Sequence, residues 1–191
     1  FAAWEAYSCT QLAIGDGELR SFDRLRDLLG LALRIRDASD PEAVSLGDLP
    51  EPGSLPSDPQ LRAPAELAMF AAGWAILHEV RHLKHQQDLT STADGDAPEI
   101  ARAEELSCDQ FAAEFLTDSI AQYASAHAEE HAKVRMKRAL GVYFGIFALI
   151  VLGHPNWKET KTHPSVSDRL RAMQSILNAA RLPPISCGRC R

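Results

Sequence analysis

Cysteine is scarce in this chain, and its placement does not suit a disulfide framework. The four cysteines, Cys9, Cys108, Cys187 and Cys190, are too few and too unevenly spaced for a small secreted domain held together by disulfides. The opening FAAWEAYSCT also lacks the basic start and long apolar run of a signal peptide. We therefore expect a cytoplasmic protein. Because the sequence starts at Phe1 rather than methionine, we also expect a trimmed or truncated product.

An excess of basic charge is missing as well. The chain carries 20 Lys and Arg against 26 Asp and Glu, a net charge of −6, which argues against general affinity for nucleic acid. The charges are unevenly distributed, with residues 1–130 acidic and residues 131–191 basic. These two parts either attract each other or present a basic surface to a partner.

The chain's uncharged apolar segment, residues 139–153, has fifteen residues. This is shorter than the roughly eighteen expected of a membrane span, so we predict a buried core helix. Membrane association through residues 139–153 is the alternative. Gly141 and Gly145 form a small-xxx-small pair, a pattern that marks close helix packing as readily as dimerisation in a membrane.

Sustained strand alternation and internal repeats are absent, whereas helical periodicity recurs along the chain. The sequence predicts a mainly α fold in a single domain, residues 1–191, with at most a short strand near residues 9–14 or 43–49. Prolines interrupt residues 38–64, which we interpret as a long loop bordering the substrate cleft. Residues 183–191 are interpreted as a tail. The predicted helices cover residues 18–37, 65–88, 98–117, the apolar segment up to 153, and 165–182.

The apolar residues of the 98–117 helix indicate which side should face the core. Ile100, Ala103, Phe111 and Phe115 recur at roughly helical spacing, so we expect them to be its buried set.

The helix over residues 65–88 carries the sequence LHEVRH, which contains the pattern H-E-x-x-H. Because four residues make about one helical turn, His78 and His82 lie on one face and can bind one metal ion together. Zinc in a hydrolase usually has three protein ligands and an open position for water. The two histidines therefore need a third partner.

The third ligand is expected in the sequence EELSCD of the next helix. If the two helices form an antiparallel hairpin, a rise of about 1.5 Å per residue brings Glu105 level with His82. Asp109, one turn further on the same face, can then accept the second ring N–H of a ligand histidine. Glu104 is the alternative third ligand, although it points about 100° away around the helix, and Cys108 as a thiolate is a less favoured one.

Glu79 directly follows the first histidine of the motif and is the predicted general base. In the usual geometry of this pattern its carboxylate meets a water on the metal. It can take a proton from that water and pass it to a leaving amine. The chemistry that these residues predict is amide hydrolysis.

These motifs, LHEVRH followed by EELSCDQFAAEFL, resemble those of gluzincin metallopeptidases, including Lit-type phage-exclusion peptidases and the CAAX prenyl protease group. A further segment, THPSVSDRL at residues 162–170, is similar to the THP-x4-R segment of the CAAX group. That resemblance implies that His163 and Arg169 face the cleft and stabilise the oxyanion. It also implies a zincin-like helical domain. The CAAX enzymes cross the membrane several times, whereas this chain has at most one marginal span, which favours the soluble, Lit-like form.

The sequence thus predicts a zinc-dependent endopeptidase acting on a protein or peptide substrate, with no nucleic acid or membrane partner. His78, His82 and Glu105 are the predicted zinc ligands. A non-enzymatic module, in which the same zinc site only braces the helical hairpin and charged surfaces bind a partner, is the alternative from another class. A membrane-associated peptidase is the third. Nothing in the sequence indicates the natural substrate or the oligomeric state.

Overall fold

The structure is a computed structural model that describes residues 23–49, 57–91 and 97–179. Within these ranges it is mainly helical and contains no β-strand, which confirms the predicted fold class. A short 3-10 helix, Pro41–Ala43, follows the first α-helix. The α-helices are α1 Asp23–Asp37, α2 Pro59–Gln87, α3 Pro98–Thr117, α4 Ile120–Ala126, α5 His131–Gly153 and α6 Val166–Ala179.

The chain divides into two compact units, and the division falls inside α2 between residues 66 and 67. The first unit contains α1, whose buried side chains include Leu28 and Leu31, and the 3-10 helix. The second unit, Leu67–Pro184, contains the metal-binding pattern and every contact discussed below. The prediction of a single domain stays a prediction.

Some predicted bounds differ from the observed ones. Helix α2 begins at Pro59 rather than after Pro64, so Pro64 is an internal residue and the predicted loop at 38–64 is shorter at its end. A proline inside a helix removes one i→i−4 hydrogen bond and its ring clashes with the carbonyl of residue i−4, so it is tolerated at a cost. The described residues 43–49 form no strand. The possible strand at 9–14, residues 18–22 of the first predicted helix and the tail at 183–191 lie outside the described residues.

The core of the second unit is built by α2, α3, α5 and α6. Trp74 on α2 packs among small side chains of α3 and aliphatic side chains of the last two helices. Small residues on α3 let its backbone approach its neighbours closely, so that α2 and α3 pack firmly together. The buried cluster comprises Trp74, Ala112, Ala113, Ala139, Val142, Ile146, Met173 and Leu177.

The predicted core face of α3 is wrong. Ile100 and Phe115 are 53% and 60% exposed, Ala103 is also exposed, and Phe111 is only half-buried. The buried face of α3 instead carries Glu104, Glu105, Cys108, Asp109, Ala112 and Ala113. The reason is that this helix turns its carboxylates inward towards α2, where histidines satisfy them.

Helix α5 contains the apolar segment and has 23 residues, which makes it long and apolar enough to cross a membrane by length and composition. Its inner residues Val142 and Ile146 are fully buried in the core. Length and composition alone therefore do not distinguish a buried core helix from a membrane span.

The Gly141 and Gly145 pair serves close packing of α5 on α2. A Cβ atom at Gly141 would lie 2.2 Å from Cβ of Phe70, and one at Gly145 would lie 2.6 Å from Cε3 of Trp74. Real Cβ atoms do not approach that closely, so each glycine provides space that an aromatic residue of α2 occupies. Trp74 lies one turn before His78, so this packing also holds in place the part of α2 that carries H-E-x-x-H.

We expect Gly145→Ala to destabilise the fold by about 1–3 kcal/mol, because the added methyl overpacks the core against Trp74. Gly73→Ala is the matched control: the nearest atom to its added Cβ is 4.0 Å away, and alanine favours the helix by up to about 1 kcal/mol. Urea unfolding followed by circular dichroism measures both. Equal stability of the two variants would contradict the close packing of α5 on Trp74.

Candidate metal centre

The centre is built across the antiparallel pair α2 and α3. Gly73 lies near Leu116, His78 contacts Asp109, and His82 contacts Glu105. As residue numbers rise along one helix they fall along the other, which is the hairpin register that the sequence predicted. His78 and Glu105 are buried and His82 is partly buried.

Three side chains aim their ligand atoms at one point. Nε2 of His78 lies 3.1 Å from Nε2 of His82, and these nitrogens lie 3.4 and 3.3 Å from the two carboxylate oxygens of Glu105. One ligand atom from each residue falls within 4.8 Å of the others, so the three could hold a metal ion. Tetrahedral zinc, with bonds of about 2.0–2.1 Å, spaces its ligand atoms about 3.3 Å apart. The donor types and their spacing therefore fit zinc.

A buried carboxylate orients the first histidine. Asp109 is fully buried, and its Oδ1 lies 2.9 Å from Nδ1 of His78. Because Nδ1 faces Asp109, Nε2 is left to face the centre. Asp109 also accepts two hydrogen bonds from Arg169, from Nε at 2.7 Å and from Nη2 at 2.6 Å.

Arg169 is thus fixed in the protein interior. Its side chain is 9% exposed, its remaining nitrogen, Nη1, lies 3.7 Å from Glu105, and its guanidinium stands over the ring of Trp74. Two of the three guanidinium nitrogens therefore donate hydrogen bonds to Asp109. This geometry favours a role in holding Asp109 over direct contact with a substrate.

The local sequence explains why Arg169 points inward. Ser165 caps α6, with its Oγ accepting the backbone N–H of Asp168 at 3.1 Å and donating to the Asp168 carboxylate at 2.6 Å. This cap fixes where the helix begins. Arg169 follows within the first turn and is therefore held at the centre.

The second histidine has a carboxylate of its own. Oε1 of Glu104 lies 2.8 Å from Nδ1 of His82 and accepts a hydrogen bond from Oγ of Ser91 at 3.2 Å. The sequence indicated Glu104 only as a rival ligand. The structure places it instead behind the ring of His82, on the side away from the Nε2 that faces the centre.

The surroundings of His78 and Glu105 shift the pKa of each group in the direction that favours its charged form. Burial lowers the pKa of His78, but hydrogen bonds to Asp109 and Glu105 and their negative charges outweigh it and raise that pKa to about 9. Burial raises the pKa of Glu105, yet the hydrogen bond with His78 and the nearby His163 and Arg169 lower it overall. Glu105 is therefore available as an anionic ligand.

Cys108 does not suit the role of a ligand. It is fully buried, and burial together with the neighbouring carboxylates raises the pKa of its thiol to about 12. A thiol must lose its proton to bind a metal strongly. Cys108 packs as a small apolar residue, and it is not among the residues whose ligand atoms converge.

Glu79 is exposed, unlike the buried carboxylates Glu104, Glu105 and Asp109. It follows His78 by one residue, about 100° around α2, and in the described part of the chain it makes no hydrogen bond or ion pair. A carboxylate that is not already committed to a partner is free to accept a proton from water.

His163 approaches the centre from the loop that precedes α6. Its side chain is 57% exposed, and its Nε2 lies 3.4 Å from Glu105. The other ring nitrogen, Nδ1, lies 2.8 Å from Oγ1 of Thr162. The backbone is tied by mutual hydrogen bonds between His163 and Thr160. His163 is therefore both oriented and accessible to a substrate.

The contacts of two residues near the centre were not predicted from the sequence. Arg102 of α3 donates to the carbonyl of Thr160 at 3.3 Å and lies 3.5 Å from Glu159, which anchors the loop that carries His163. Trp74, whose ring centroid is 5.9 Å from that of His78, lies beneath the motif. Only the spacing of Trp74, one turn before His78, could have indicated it.

Comparison with known proteins adds one finding. No curated protein and no solved structure matches the chain. A family model described as Peptidase U49 matches residues 4–184, nearly the full length and the whole of the centre. The chain therefore belongs to the Peptidase U49 family, a family of peptidases.

Proposed function

We propose that the protein is a zinc-dependent endopeptidase of the gluzincin type, acting on protein substrates in the cytoplasm. The observation that carries the proposal is the convergence of His78, His82 and Glu105 on one point in a chain that belongs to a peptidase family. The exposed Glu79 stands directly after the first of these ligands. The motif resemblance to Lit-type and CAAX peptidases supports the same assignment.

In this proposal His78, His82 and Glu105 hold zinc, which when bound supplies Lewis acidity and lowers the pKa of water. Glu79 takes the proton from the attacking water and delivers it to the leaving amine, so one carboxylate serves as base and then as acid. The proton balance needs no other group.

His163 completes the reaction side of the centre. Its exposed imidazole can reach a substrate, and with Nδ1 held by Thr162 its Nε2 faces the region next to Glu105. A hydrogen bond from Nε2 to the carbonyl oxygen, strengthening as that oxygen becomes negative, stabilises the transition state. Arg169 contributes indirectly, because it fixes Asp109 and through it the ring of His78.

Metal analysis of the purified chain tests the zinc ligands. We expect about one zinc per wild-type chain and loss of most of it in Glu105→Ala, because two histidines alone bind zinc weakly. Glu114→Ala, an exposed position on the same helix, is the control and should keep its zinc. Unchanged zinc in Glu105→Ala would overturn the proposed ligand set, and a wild-type chain without zinc would overturn the proposed function.

A further inference from the structure

The sequence EE at residues 104–105 places two adjacent carboxylates on α3, and both are about 8% exposed. Successive helical residues differ by about 100° in direction, so two neighbours cannot approach the same atom from the same side. Glu105 faces the Nε2 atoms of the histidines. Glu104 faces Nδ1 of His82.

An imidazole that binds a metal through Nε2 must carry its remaining proton on Nδ1. A carboxylate hydrogen-bonded to Nδ1 selects that tautomer, fixes the ring and makes Nε2 more basic. Asp109 stands in this position for His78. The distance from Glu104 to His82, 2.8 Å, is as short as that of Asp109.

We propose that Glu104 is the positioning residue for His82, so that each histidine of the centre has its own carboxylate and Glu105 alone serves as the acidic ligand. The inference rests on the proposed zinc site and deepens it. Ser91, just after α2, donates to the same oxygen of Glu104 and so holds the carboxylate against the ring. The two helices are thereby also joined near the end of the hairpin where the chain connects them.

The alternative of Glu104 as a ligand does not fit the geometry. The same Oε1 already accepts hydrogen bonds from Nδ1 of His82 and Oγ of Ser91. It therefore lies at the ring nitrogen that faces away from the centre, and not at Nε2. Movement of Glu104 to the centre would break both bonds and leave the partly buried Nδ1 without its acceptor, which is unfavourable.

The test compares zinc affinity, measured by competition with a chromophoric chelator, in the full-length wild type, Glu104→Ala, Glu104→Gln and Glu114→Gln. We expect Glu104→Ala to weaken binding about 10- to 100-fold while stoichiometry stays unchanged. Glu104→Gln should lose less, because its amide oxygen still accepts from Nδ1. Glu114→Gln, at an exposed residue that pairs with Gln110, should bind as the wild type does.

Cobalt substitution gives a second readout that a purely structural role would not change. We expect the visible absorption bands of the cobalt-loaded chain to shift in Glu104→Ala and to return towards wild type in Glu104→Gln, since the ring of His82 reorients only when the acceptor is lost. If Glu104→Ala does not fold, Glu104→Leu, which fills more of the space but also lacks an acceptor for Nδ1, takes its place in both measurements.

The outcomes separate this inference from the proposed function. Wild-type zinc affinity and cobalt bands in both Glu104 variants would overturn the positioning role and leave the zinc site standing. Loss of all zinc in Glu104→Gln, with Glu105→Ala still loaded, would make Glu104 the ligand and overturn it too. A wild-type chain that binds neither metal would overturn both.

Discussion

Replacement of Glu79 by glutamine is expected to lower kcat/KM about 10²- to 10⁴-fold, the usual contribution of a general base. The amide keeps the size of the side chain but cannot take a proton from water. Because Glu79 is exposed and has no hydrogen bond or ion pair with the proposed ligands His78, His82 and Glu105, zinc content and thermal stability should stay at the wild-type level. Cleavage of a proteome-derived peptide mixture, read by mass spectrometry, measures activity without knowledge of the natural substrate.

The control for this experiment is Glu99→Gln, at another exposed glutamate in the first turn of α3. It should cleave the peptide mixture at the wild-type rate. Full activity in Glu79→Gln would reject Glu79 as the base. Loss of zinc together with activity would show instead that Glu79 supports the metal site.

The second large effect is expected on stability. Asp109→Ala removes the partner of two buried donors, Arg169 and His78, and leaves the buried guanidinium with only the longer, 3.7 Å contact to Glu105. Breaking a buried ion pair in this way costs about 3–5 kcal/mol. Urea unfolding in the presence of a metal chelator measures this cost separately from any loss of bound zinc.

Two further variants make the result specific. Asp88→Asn, at an exposed residue 4.0 Å from Lys84, should change stability by less than about 0.5 kcal/mol. The double variant Asp109→Leu with Arg169→Met should recover most of the loss, because it removes both charges together. A single Asp109→Ala variant as stable as Asp88→Asn would mean that the buried pair does not hold α6 to α3.

The helices and the hairpin could be predicted because they depend on local signals. The H-E-x-x-H spacing sets His78 and His82 on one face, and the rise per residue along two antiparallel helices brings Glu105 level with them. The predicted bounds of α3 agree with the observed Pro98–Thr117. Where a short-range rule sets the geometry, the sequence is sufficient.

The side that α3 buries could not be predicted in the same way. Periodicity favoured Ile100 and Phe115, which are exposed, over carboxylates that are buried. This helix inverts the usual pattern, because histidines on the facing helix compensate its buried carboxylates. The contact of Glu104 with Nδ1 of His82 could not be predicted for a related reason. Sequence spacing gives the direction of a side chain but not which nitrogen of a histidine ring it contacts.

Arg169 shows most clearly which contacts cannot be predicted from the sequence. Its position in the THP-x4-R segment indicated the right neighbourhood, yet its burial against Asp109 depends on the docking of α6 through Met173 and Leu177. Such docking is a property of the assembled core and not of any segment of the chain.

Arg169 stands 60 residues after Asp109, and the ribosome makes α6 after every other helix of the unit. Until α6 emerges and docks, Asp109 lacks its cation and His78 lacks a firmly held acceptor, although both histidines were synthesised long before. Domains complete their packing only when their last elements are available. The order of translation therefore postpones completion of the proposed peptidase centre until α6 has been made and can dock.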